Sequence, residues 1–112
     1  GWRQTAGDSS RLVQMSSMNA DFSSIQNYHE RAVTDAVRAG ASRFAHLAEK
    51  GLLPDVACVA LNRLPPRYIR HEVDFAFFLT EKERADNERA VEKAVAFAFE
   101  FVQARTAMRA RA

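Results

Sequence analysis

Three arginines, an asparagine and a tyrosine gather around two consecutive prolines in Asn62-Arg63-Leu64-Pro65-Pro66-Arg67-Tyr68-Ile69-Arg70. Side chains of these types can hold an anionic nucleotide. A guanidinium is a planar fork that fits phosphate oxygens or the O6/N7 edge of guanine. Tyr68 offers a ring on which a base can stack. Asn62 can donate and accept, either to a base edge or to brace the turn. Pro65 and Pro66 fix the backbone and lower the ordering cost of a site built there. The same residues also suit a plainer arrangement: a helix stop followed by solvated arginines, with Tyr68 packed in the core.

Nothing else in the chain assembles a nucleophile, a base and an orienting group, so an enzyme is not expected. Cys58 is the single cysteine. Its neighbours Val56, Ala57, Val59 and Ala60 are apolar, and it is expected as a small buried core residue. One thiol excludes an internal disulfide and a zinc site of several thiolates. His29, His46 and His71 have no metal-ligand spacing, and His29 and Glu30 are expected on a solvated helix face. Gly-rich phosphate loops and nucleophile elbows are absent from the sequence. No cofactor and no zinc are expected.

Period and punctuation define the secondary structure around the diproline segment. The chain has 112 residues and 12.6 kDa, one domain's worth. Residues 1–24 are Ser-rich and poor in large apolar groups, which predicts a flexible tail. Ile25, Tyr28, Ala32, Ala36, Val37, Gly40, Phe44 and Leu47 recur at helical spacing, with Ser23 or Ser24 as N-cap and Gly51 as stop. Gly40 marks a close helix contact or a break in that helix. A second, central helix starts at Leu52–Pro54, where a proline suits the first turn, and ends at Pro65-Pro66. Val73, Phe75, Phe77 and Leu79 alternate, which predicts a strand or extended arm in need of a partner. Thr80 to Glu83 reads as a capping box opening a helix to about Ala107. That helix is apolar on one stripe at first (Ala90, Val91, Ala94, Val95) and nearly all round later (Phe97 to Val102). A second protomer is the expected cover. Residues 108–112 form a basic end.

The fold class expected is therefore mainly α: a small helical domain over residues 25–107, with a short extended or β segment near residues 68–79, and dimeric. Sixteen Lys and Arg against fourteen Asp and Glu leave a net charge of +2. That balance argues against a nucleic-acid-coating surface. No apolar run approaches the ~20 residues that cross a bilayer. No signal peptide is visible, so a cytoplasmic location without membrane insertion is expected.

The segment from Asp55 to Tyr68, and above all Ala60-Leu61-Asn62-Arg63-Leu64-Pro65-Pro66-Arg67-Tyr68, closely resembles the signature of the late competence development ComFB family. The resemblance covers about residues 25–105, from Asn27-Tyr28 to the long last helix. It implies a non-enzymatic helical homodimer that receives the bacterial second messenger cyclic di-GMP and acts through an unidentified downstream protein in motility, pili or competence. Some relatives carry a zinc-binding cysteine cluster before the signature helix. This chain has Lys50-Gly51-Leu52-Leu53-Pro54 there instead. The ligand-binding residues expected are Asn62, Arg63, Pro65, Pro66, Arg67, Tyr68 and Arg70, with Glu72, Asp74 or Glu30 as acids for guanine.

Two other functions compete. One is a nucleic-acid-linked regulator using the same arginines with Arg105, Arg109 and Arg111. The other is a dimeric adaptor that docks a protein through residues 75–78 and has lost nucleotide binding.

Overall fold

The structure, a computed structural model, describes residues 21–111. In chain order these form strand β1 (Gln26–Asn27), helix α1 (His29–Gly40), a 3₁₀ turn (Ala41–Phe44), helix α2 (Ala45–Glu49), helix α3 (Leu53–Arg63), strand β2 (Tyr68–Ile69), helix α4 (Glu72–Phe77) and helix α5 (Glu81–Arg111). The mainly helical class agrees with the sequence reading. Residues 1–20 of the expected tail, and Ala112, lie outside the described residues.

The core sits where α3 packs between α1 and α5. Val33, Val37, Leu47, Val56, Ala60, Val91, Ala94, Val95, Ala98, Phe99 and Val102 are buried together. Each of α1, α3 and α5 supplies buried residues at 3–4 residue spacing, as a helix with one buried face requires. On α1 the stripe is His29, Val33, Val37 and Gly40. Val37 and Gly40 are buried as predicted, but His29 and Val33 take the inward places expected of Tyr28 and Ala32, so Ala32 is exposed and Val33 is fully buried. His29, expected in solvent, is thereby 6% exposed.

The first helix also starts later than predicted. Ser23 and Ser24 do not cap it. The Asn27 side chain accepts the His29 N–H at 3.0 Å, and Ser24 Oγ accepts from Arg70 Nε at 3.1 Å. Gly40 marks both a contact and a break: the α-helix ends there, and a Cβ on Gly40 would stand 2.9 Å from Phe99 Cε2. Gly51 closes α2 with φ +73°, the left-handed geometry that glycine adopts without strain. The Gly51 N–H reaches the Ala48 carbonyl and the Leu52 N–H reaches the Leu47 carbonyl, the paired bonds of a Schellman stop.

The sequence pattern misled over residues 73–79. The expected strand is helix α4, and within residues 68–79 only Tyr68–Ile69 pairs as a strand. A strand needs bonds from a neighbour, and the partner for this region is two residues long: Gln26 and Asn27 pair antiparallel with Ile69 and Tyr68. Residues 72–77 meet their backbone needs locally instead, with Phe75 N–H on His71 and Phe78 N–H on Phe75. As a helix the segment half-buries Phe75 and Ala76 and leaves Phe77 83% and Phe78 80% exposed.

The capping box at the start of α5 is formed. Thr80 N–H donates to Glu83 Oε1 at 2.9 Å, and Glu83 N–H donates to Thr80 Oγ1 at 3.0 Å. The bonds from Thr80 hold the Glu83 carboxyl below its ordinary pKa. From that cap the helix runs 31 residues, ~46 Å. It passes the predicted end at Ala107 and carries the basic terminus to Arg111. Among the described residues, no helix is long and apolar enough to cross a membrane.

Candidate functional site

Helix α3 ends because two prolines succeed it. Leu64 precedes Pro65 and is extended at φ −99°, ψ 141°, as a pre-proline residue must be. Pro65 and Pro66 stand exposed, and the chain turns into β2. The far side of the turn is pinned by Asn27 and Tyr28. The Arg67 N–H donates to Asn27 Oδ1 at 3.4 Å, and the Arg67 carbonyl accepts from the Tyr28 N–H at 2.6 Å. One asparagine therefore holds both the first N–H of α1 and the diproline loop.

Arg67 is exposed, with its backbone fixed on both sides and its guanidinium over the Phe75 ring, 4.7 Å from the centroid. Phe75 rests on the Tyr28 ring at 4.6 Å. The loop thus has an aromatic floor that the sequence reading missed. The only signal for it was Phe75 within a segment assigned to a strand, where its contacts could not be foreseen. Tyr68 is 68% exposed, which removes the arrangement with Tyr68 in the core. Its ring is free to stack.

The other expected residues divide. Asn62 Nδ2 donates to the Cys58 carbonyl at 3.0 Å, so Asn62 braces the last turn of α3. Arg63 lies over Phe97 of α5, 3.7 Å from the ring centroid. Arg70 is held by Ser24. The three arginine heads therefore rest on three different supports. Glu72 pairs with Arg31 at 3.7 Å, which engages it away from the loop. Asp74 and Glu30 are exposed and make no ion pair among the described residues.

Cys58 is a correction. It is exposed, because α3 buries Val56 and Ala60 and position 58 falls on the opposite face of the turn. Among the described residues no group of three His, Cys, Asp or Glu is placed to hold a metal.

His29 borders the site and is electrostatically tied to it. Burial, and then the positive charge of Arg67, hold its pKa below the ordinary histidine value. The unfolded chain therefore takes up the proton first as pH falls. Stability is full above the unfolded value near ~6.5 and declines as pH drops from there toward the lower folded value. The melting temperature should be lower at pH 5.5 than at pH 7.5. His29→Gln should flatten that dependence, and His46→Gln, at an exposed position of α2, should keep it. The lowered carboxyls of Asp21, Glu83 and Asp86 act in a more acidic window, below ~4.5.

The family model for the late competence development protein ComFB matches residues 26–106. No curated protein and no solved structure matches the chain. The match opens at β1, whose Asn27 pins the diproline loop, and runs through most of α5, whose Phe97 carries Arg63. With more than half of its length matched, the chain belongs to the ComFB family.

Proposed function

We propose that this protein is a non-enzymatic cytoplasmic receptor for cyclic di-GMP, bound at the Pro65-Pro66 loop, which signals to a partner protein in motility, pili or competence. The supporting observation is Arg67: an exposed guanidinium on a backbone fixed from both sides, above an aromatic ring and one residue from an exposed tyrosine. Phosphate recognition requires a fork presented at low entropic cost. Arg70 and Arg63 add positive charge to the same turn, and Tyr68 supplies the stacking ring. Calorimetry with cyclic di-GMP, other nucleotides and duplex DNA at two salt concentrations tests the reading. Saturable binding of cyclic di-GMP supports it. Binding of DNA alone, falling steeply with salt, would replace it with the nucleic-acid reading.

The receptor reading includes a homodimer, since a two-fold ligand suits a two-fold protein that offers the same loop twice. Phe97 and Phe101 remain 39% and 44% exposed on α5, and Val73, Phe77 and Phe78 are exposed on and next to α4. Sedimentation at low micromolar concentration should give about twice the 12.6 kDa chain mass. Phe97→Glu with Phe101→Glu should shift it to the monomer, and a wild-type monomer at that concentration would end the dimer reading.

The exposed Phe77 and Phe78 also favour the second reading, an adaptor that docks a protein through α4. It takes over if no nucleotide binds.

A further inference from the structure

A cavity of about 300 Å³ lies between the first turn of α1 and the N-terminal half of α5, lined by Tyr28, His29, Arg84, Asn87, Glu88 and Glu92 among others. Its size is at the small end of the ~300–1,000 Å³ typical of ligand sites. It adjoins the diproline loop through one shared wall. The backbone of Tyr28 bonds the Arg67 carbonyl, and its ring touches the Phe75 ring that Arg67 covers.

The lining asks for hydrogen-bond donors. Glu88 and Glu92 are carboxylates one helical turn apart, so they point to the same side of α5. His29 is 6% exposed, and its Nδ1 is buried without a partner. Arg84, the one cation in the lining, is already engaged: Nη2 donates to the Ala76 carbonyl at 3.3 Å, and Nη1 lies 3.7 Å from Glu81. A phosphate would face two like charges here and is excluded. A planar base with two adjacent N–H donors on one edge is matched. Guanine, with N1–H and N2–H₂ side by side, has that edge. Adenine turns a ring acceptor toward the same carboxylates and is disfavoured. Asn87 can complete the edge as donor and acceptor, and the Tyr28 ring gives a face to lie against.

We propose that this cavity seats one guanine base of the nucleotide whose phosphate Arg67 holds, with Glu88 and Glu92 reading the donor edge. The proposal rests on the receptor reading of the loop. It replaces Glu72, Asp74 and Glu30 as guanine-reading acids with a pair on α5.

The test is calorimetry on the full chain with cyclic di-GMP and cyclic di-AMP, for wild type, Arg67→Ala, and Glu88→Ala with Glu92→Ala. Both glutamates are exposed on a long helix, so the double variant should fold, as circular dichroism will report. The wild type should prefer cyclic di-GMP by tenfold or more. The double variant should lose about tenfold or more toward cyclic di-GMP and keep its affinity for cyclic di-AMP, erasing the preference. If the double variant binds cyclic di-GMP like wild type while Arg67→Ala is weakened, the loop reading stands and the base cavity is overturned. If wild type binds neither nucleotide, the loop reading fails and takes the cavity with it.

Discussion

Replacing Arg67 by alanine should weaken cyclic di-GMP binding by roughly tenfold to over a hundredfold, with the fold unchanged by circular dichroism. The magnitude comes from one charge-assisted, bidentate contact, which contributes on the order of 1.5–3 kcal/mol. Arg67 should reach the upper part of that range because little is left to order. Two prolines precede it, its N–H and carbonyl are taken by Asn27 and Tyr28, and its head already lies over Phe75. Arg67→Lys should recover only part of the loss. An ammonium keeps the charge but not the planar fork, and it stacks less well on the ring. Arg109→Ala, at an exposed position near the end of α5, should change affinity by less than about threefold, as expected of a screened surface charge. If Arg67→Ala binds like wild type, the diproline turn only stops a helix, and the adaptor reading takes over.

Asn27→Ala offers a finer view of the same site. Its side chain accepts the first N–H of α1 and, forty residues further along the chain, the N–H of Arg67 in the loop. Nothing in a one-dimensional pattern could pair them. What the sequence did carry was local: the proline stop of α3, the capping box of α5 and the left-handed stop at Gly51 each depend on neighbours within a few residues. The buried stripe in the first half of α5, Val91, Ala94 and Val95, was equally legible, because apolar period alone defines it. The failures share one physical cause. Residues 72–77 alternate like a strand, yet the sheet they would need is two residues wide, so local helical bonds prevailed. On α1, alanines and valines alternate as candidates for the inner face, and packing against α3 and α5 turned Val33 rather than Ala32 inward. The site was legible in its types, Arg67 and Tyr68 above all. Its floor, Phe75 on Tyr28, was not, since it depends on α4 being a helix.

Phe99→Ala should destabilise the chain by ~3–5 kcal/mol, the largest stability effect expected of a single side chain here. Phe99 is 2% exposed and stacks on Phe44, with ring centroids 4.4 Å apart and planes within 13°. Its ring edge also fills the space left by the missing side chain of Gly40. Removing the ring takes away the packing where α1, the 3₁₀ turn and α5 meet. For a domain whose total stability is ~5–15 kcal/mol, the loss takes a large share. At fixed protein concentration the melting temperature should fall by at least ~10 °C. Gly40→Ala probes the same contact from the other side. A methyl at 2.9 Å forces the buried ring to move, at a cost of ~1–3 kcal/mol. Placed on Phe99→Leu, which vacates the ring edge, the same alanine should cost less, and that non-additivity is the signature of direct contact. Phe101→Ala is the contrast. At 44% exposure it should cost a single chain little, while weakening self-association if α5 carries the dimer interface. Denaturant unfolding of these variants measures all of the stability effects, and a Phe99→Ala midpoint close to wild type would overturn the packing of α5 against Gly40.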